Sequence, residues 1–299
     1  MKLPNRRAAK TPRTPDVALQ ARNVKFDWTS APLHWMPSEP IASHVVNSLN
    51  LLLPEGERMF CATYRDALPY VRDAKVREAM LGFIGQESMH AETHAKVLDQ
   101  VFAAHHIDTA PYTRQMEYVF RNSLGAREGS PQAAQTRLVE RLTFIASLEH
   151  FFAWLGDWIL NADLESHGAE PRVLDLFRWH GAEEVEHRSV AHDVAIYFGA
   201  GYIRRAGIML LVIPILLSLL VRGTKYLVNQ DPELPNIGYP QLIWKILGAM
   251  RRGALPGIPA LLISAGSTFN PRYDPANVGS TEQAIAYLAK SPAARAADR

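Results

Sequence analysis

The chain has 299 residues, 47% of them hydrophobic, enough for one large domain with a sizeable core or for a domain with an appendage. A formal net charge of +2 gives no basis for general nucleic-acid affinity, and none is expected. The single cysteine, Cys61, rules out an internal disulfide; it favours the cytosol and reads as a small buried apolar side chain.

Residues 1–38 are rich in Pro, Arg and Thr and read as an extended N-terminal arm. Its basic residues Lys2, Arg6, Arg7, Lys10 and Arg13 read as a disordered tail ahead of any membrane or targeting role. No apolar run with a small-residue cleavage site follows, so no secretory signal is expected.

Residues 39–200 carry four helical patterns. In the first, Val46, Leu53, Glu57, Phe60 and Tyr64 share a face, and Pro54 implies a kink or a restart just before Glu57. In the second, Val76, Met80, Phe83, Glu87, His90, His94, Val97 and Val101 follow at steps of four and three. Leu138, Leu142, Ile145, Glu149, Phe152, Gly156 and Ile159 do the same in the third. Val173, Phe177, His180, Glu184, His187, Ala191, Val194 and Phe198 do so in the fourth. A turn near Pro69 joins the first two, and Gly168 and Pro171 punctuate the link between the last two. A longer connection, about 106–133, lies between the pairs. The expectation is an all-α, ferritin-like four-helix bundle, whose connectivity includes one long crossover.

Residues 201–299 read as an apolar helical extension with a Pro/Gly-rich tail. Ile208–Val221 is apolar apart from Ser218, is interrupted by Pro214, and is bracketed by Arg204, Arg205, Arg222 and Lys225. It is shorter than the roughly 20 residues a spanning helix needs. A core helix packed on the bundle is the first reading, and an interfacial or re-entrant segment the second. Leu255–Ile263 is a second short apolar run, and both runs suit a path for a greasy substrate.

The bundle stripes are apolar except at their middles, which hold Glu57, Glu87, His90, Glu149, His180, Glu184 and His187. Carboxylates buried together in a helical core are costly and repel one another. Two divalent cations remove both costs, since four ionised glutamates match their total charge. Glu87–His90 and Glu184–His187 are both Glu-x-x-His, which places a carboxylate and an imidazole on adjacent positions of one helix face. Two such motifs with one Glu from each of the other two helices form the pattern of a di-iron carboxylate site. His180, one turn before Glu184, reads as a ligand or a hydrogen-bonding partner of one. His94 reads as an outer partner or channel residue before a ligand. Glu140 competes with Glu149, but the Leu/Ile stripe favours Glu149. Glu92, Glu165, Glu183 and Glu186 fall off the stripes and are expected on solvated faces; Asp157 and Asp193 are possible acceptors for imidazole N–H groups.

The stretches Leu53–Phe60, Gly85–His90 and Trp179–His187 resemble a bacterial family called predicted metal-dependent hydrolases, over about residues 30 to 270. The His180, Glu184, His187 run is also similar to the His-x-x-x-Glu-x-x-His segment of di-iron arylamine N-oxygenases. In those enzymes the extra histidine is a ligand, so the resemblance implies ligation by His180; it does not extend to their amine substrates.

With no thiolate in the set, carboxylates and imidazoles suit two iron ions, with manganese the alternative. The first functional expectation is an enzyme that uses O2 to oxidise a small or lipid-like organic substrate, with electrons from a separate reductase. The second is dinuclear metal-dependent hydrolysis, and the third is a non-catalytic metal-binding or membrane-associated protein. The expected location is the cytoplasm, with possible peripheral contact with the inner face of the membrane.

Overall fold

In a computed structural model, residues 18–127 and 129–297 are described, and among them the chain is all-α with no strand. The basic tail, with its expected disorder, lies outside the described residues. Helix α1 spans Pro40–Ala67 and begins with proline, whose missing N–H costs nothing at that position. It runs through Pro54, so the alternative of a restart before Glu57 does not occur. Pro54 removes the rung to the Asn50 carbonyl. Burial of Leu51, Leu52, Leu53, Met59, Phe60 and Tyr64 around it offsets that loss, which is why packing overrides the local break.

The turn Leu68–Tyr70 leads into α2, Ala74–Val97, whose first N–H groups are capped by Asp73. A π turn, Leu98–Phe102, ends it. The long connection contains α3, Ala110–Glu117, and a second π turn, Tyr118–Ser123. Helix α4, Pro131–Asn161, is capped by Ser130; α5, Pro171–His187, is capped by Glu170. Between them Gly168 takes φ +76°, a left-handed conformation that glycine adopts without a Cβ penalty. Helices α1 and α2 pack as one hairpin and α4 and α5 as another, with the crossover between. The fourth pattern was expected to continue to Phe198 but breaks after His187, and α6, Val190–Tyr197, follows. At the break the Arg188 guanidinium donates to the Val185 carbonyl, closing the end of α5.

The segment 18–36 is not helical. Val24 and Trp28 turn inward while Lys25, Asp27 and Thr29 stay exposed. It crosses α2 at Gly82, where a Cβ would lie 2.6 Å from that of Leu19.

Helix α7, Tyr202–Gln230, extends well past the apolar run on both sides. Met209, Val212, Gly223, Thr224, Leu227 and Val228 are buried, and the helix packs on α1 and α4. Its other face leaves Ile203, Leu210, Leu211, Ile215 and Leu217 exposed. The reading of a core helix therefore holds for one face only. At its C-terminus Asp231 Oδ2 accepts from His34 Nε2 at 2.5 Å and His44 Nε2 at 2.7 Å, tying the arm, α1 and α7 together. Helices α8, Tyr239–Arg251, and α9, Ile258–Ser267, lie against α1 and α4 respectively. Then α10, Thr281–Leu288, and α11, Pro292–Ala297, return to α5, where Asp175 accepts from the Tyr287 hydroxyl and the Ala293 amide.

Candidate metal centre

The four bundle helices bring together all seven side chains singled out in the sequence. Glu57 comes from α1, Glu87 and His90 from α2, Glu149 from α4, and His180, Glu184 and His187 from α5. None is more than 6% exposed. They form two groups: Glu57, His90 and His180, and Glu87, Glu149, Glu184 and His187. Within each group one donor atom per residue lies within 4.8 Å of the others. Glu184 also links the groups, with Oε1 2.7 Å from His180 Nε2 and Oε2 3.1 Å from His187 Nε2.

Each imidazole is held from outside by its other nitrogen. His187 Nδ1 donates to Gln86 Oε1 at 3.0 Å, and Gln86 Nε2 donates to Glu186 Oε2 at 3.0 Å. His90 Nε2 donates to Glu183 Oε2 at 2.9 Å, while Trp179 Nε1 donates to Glu183 Oε1 at 3.1 Å. Arg22 Nη1 bridges both carboxylates, 2.7 Å from Glu183 Oε1 and 2.9 Å from Glu186 Oε2. On the other side His94 Nδ1 lies 2.7 Å from Asn50 Oδ1, and His94 Nε2 lies 2.6 Å from His180 Nδ1. An Asn50 acceptor fixes the proton on His94 Nδ1, so His180 Nδ1 donates to His94 Nε2. In their neutral form all three rings turn a lone-pair nitrogen toward the glutamates, Nδ1 of His90 and Nε2 of His180 and His187; without a cation there, a proton on His187 Nε2 takes its place.

That inward face lacks partners of its own. Both carboxylate oxygens of Glu57, Glu87 and Glu149, and Nδ1 of His90, are buried without a hydrogen bond. Such groups are rare in folded proteins and mark strain, catalysis or a missing ion. His187 Nε2 lies 3.2 Å from Glu87, 3.1 Å from Glu149 and 3.1 Å from Glu184, and one nitrogen cannot serve three carboxylates with one proton. Burial, then the Glu184 and Glu149 charges, push the Glu57 and Glu87 carboxyls well above the ordinary range. Burial and Glu184 raise Glu149 to about 7. Burial alone would raise Glu184, but His187 and His180 beside it hold it down to about 2. Burial alone would lower His187, but Glu184 and Glu149 lift it to about 10. The core thus calls for positive charge at its centre, and a carboxylate and imidazole donor set fits divalent cations there.

A family model described as predicted metal-dependent hydrolase matches residues 20–279. The chain belongs to that family. No curated protein and no solved structure matches it. The likeness of the His180–His187 run to the arylamine N-oxygenases thus has no counterpart among curated proteins or solved structures. The span matched as a metal-dependent hydrolase holds all seven residues and the outer partners Arg22, Asn50, Gln86, His94, Glu183 and Glu186.

For this metal-dependent family member, the outer partners are where the sequence reading needs correction. Glu183 and Glu186 are buried, at 0% and 6% exposure, and not solvated. The segment 18–36 carries Arg22 onto the face of α5 that an isolated bundle would leave wet. Glu92 and Glu165 do lie on the surface, paired with Lys96 and Arg178. Glu140 is exposed. Asp157 Oδ1 accepts from Asn161, not from an imidazole. No spacing in the sequence singles out Gln86, Asn50 or Arg22; the polar Asn47 and Asn50 within an apolar stretch of α1 are the one hint it carries.

Two narrow apolar spaces, each of about 40 Å³, reach the centre. One touches Glu57 between Gly56, Phe60 and Phe120; the other touches His180 and Glu184 beside Gly156 and Gly181.

Proposed function

We propose that the seven side chains hold two divalent metal ions, and that the chain is a dinuclear metal enzyme acting on a small or lipid-like organic substrate. The observation that carries this reading is the ring of buried, unpartnered carboxylate oxygens faced by lone-pair nitrogens of three outwardly anchored imidazoles. Glu57, His90 and His180 would hold one ion, and Glu87, Glu149, Glu184 and His187 the other. Glu184, turned toward both groups, is suited to join them.

When bound, a redox-active pair such as iron supplies electrons to O2, whereas a redox-silent pair supplies hydroxide at neutral pH. Iron, with manganese as the alternative, suits the hard and borderline donors present. The chain's own contribution is orientation and dryness. Gln86, Glu183 and His94 fix the three ring tautomers, and Leu49, Leu53, Phe60 and Phe152 wall the approaches against water. We take O2-dependent oxidation, with a separate electron-donor reductase, as the reading supported by the all-helical donor set and the apolar approaches. Hydrolysis is the reading supported by the family description.

The deciding experiment begins with the metal content of protein purified without added metal. Anaerobic loading with Fe(II) followed by O2 is expected to give O2 uptake and a transient visible absorption band. No uptake, together with ester cleavage supported by Zn or Mn, would establish hydrolysis instead. A stable protein that turns over nothing with any metal would reduce the centre to metal handling or scaffolding.

A further inference from the structure

We infer that the exposed face of α7, α8 and α9 seats in an anionic lipid monolayer, and that the apolar chamber beneath it receives an alkyl chain and presents it to the centre. The inference deepens the reading of a lipid-like substrate and rests on it. Large apolar side chains are uncovered on all three helices: Ile203 is 85% exposed, Trp244 74% and Ile263 73%. Apolar surface of this extent marks a contact site rather than ordinary solvent-facing surface.

The chamber has a volume of about 220 Å³ and is lined by α1, α4, α7, α8 and α9, with Thr224 the one polar side chain on its wall. Leu217 and Leu262 both line it and are themselves 41% and 65% exposed, so its mouth opens between α7 and α9 on the uncovered face. Leu49 and Phe152 line the chamber and also both narrow spaces, the one at Glu57 and the one at His180 and Glu184. Leu216 is further shared with the space at Glu57, and Val46, Leu155 and Trp158 with the space at His180 and Glu184, so a thin apolar wall stands between the chamber and the centre from either direction. A rotation of Phe152, which is only partly buried, would join them.

Charge selects the occupant. Helices α7, α8 and α9 contain no Asp or Glu, while Arg204, Arg222, Lys245 and Arg251 are exposed on α7 and α8. Cations around an apolar face suit a leaflet with anionic headgroups, with aliphatic side chains and Trp244 in the acyl boundary. A second copy of the chain would set these cations against one another across a twofold axis. Helix α7 is long and apolar enough to cross a membrane, unlike the shorter run read from the sequence, but it packs on α1 and α4 along its buried face, and contact in the membrane plane keeps that packing.

The test uses the full metal-loaded chain and vesicles of phosphatidylcholine and phosphatidylglycerol with brominated acyl chains. The protein is expected to co-sediment with them, and its tryptophan fluorescence to be quenched through Trp244 at the surface and through Trp154 and Trp158 on the chamber wall, so that Trp244→Phe lowers the quenching without abolishing it. Leu211→Glu with Leu262→Glu should lower vesicle partition at least tenfold. Leu216→Trp, which fills the chamber, should weaken binding of the fluorescent fatty acid cis-parinaric acid about tenfold and leave vesicle partition unchanged. Partition that is absent, or equal in the double variant, would overturn the proposal. So would undiminished cis-parinaric acid binding by Leu216→Trp, or a lipid-free dimer in which Trp244 is shielded. Metal content, measured in parallel, separates the two readings: a chain that holds two ions but ignores lipid loses only the membrane proposal.

Discussion

At the scale of single residues, the centre depends on how each donor is aimed as well as on which donors are present. Glu184 faces both groups and touches two of the three imidazoles. Glu184→Ala is therefore expected to abolish tight metal binding, as measured by elemental analysis after dialysis; two tightly held ions per chain in that variant would refute the assignment. The seven residues were legible because a charged side chain in the middle of an apolar helical stripe has few physical explanations. Glu149 could be told from Glu140 for the same reason, since Ile145 and Phe152 extend the stripe through Glu149. Glu183 and Glu186 were illegible. They lie off the apolar stripe, on the flank of α5 toward α2, where His90 and Gln86 reach them; their cover is completed by Arg22 on a segment more than a hundred residues earlier, whose placement no periodicity encodes.

At the scale of elements, that segment and one helix pair set the geometry. Arg22 offsets two carboxylates that are fully buried or nearly so, and breaking a buried pair leaves uncompensated charge. Arg22→Ala is expected to cost about 3 kcal/mol of stability, read from urea denaturation, and to weaken metal affinity by roughly ten- to a hundredfold through loosened His90 and His187. Helices α4 and α5 touch backbone to backbone at Gly156 and Gly181, next to His180. A Cβ on Gly156 would lie 2.3 Å from the Gly181 carbonyl oxygen, and one on Gly181 would lie 2.7 Å from Gly156 Cα. No flexible side chain can yield there. Gly181→Ala should force the helices apart, destabilise by about 1–3 kcal/mol, and lower metal affinity; calorimetric titration with Mn(II) checks the second effect. The four helices and both hairpins could be read from spacing and punctuation. The continuity of α1 through Pro54 could not, because tertiary burial decided it, and the break after His187 depends on a side chain closing the helix end.

At the scale of the whole molecule, the C-terminal third covers the bundle and tunes its response to pH. His192 on α6 is 8% exposed, with Arg205, Asp274 and His150 as its charged or titratable neighbours and the Tyr273 ring edge-on to it at 5.4 Å. Burial, then Arg205, lower its pKa to about 4 against the attraction of Asp274. Its folded pKa is depressed, so the unfolded chain binds its proton first. The stability it contributes is complete above the ordinary value of 6.5 and is lost as pH falls toward 4, up to about 3 kcal/mol. The urea midpoint of His192→Phe is expected to fall less steeply than that of the natural chain between pH 7 and pH 4.5; parallel curves would show that His192 titrates normally. Periodicity could not place this third, since an apolar run fits a covered helix and an uncovered one equally well.

The contact between Arg22 and Glu186 joins residues 164 positions apart. A chain made from its N-terminus holds Arg22 out of the ribosome long before the carboxylates it neutralises have been translated. By the time α2 emerges, Glu57, Glu87 and His90 are available without the outer carboxylate that orients His90. The donor set is complete only once α5 has been made, so residues 91–187 are synthesised while Glu57, Glu87 and His90 are already present without the side chains that close the set around them.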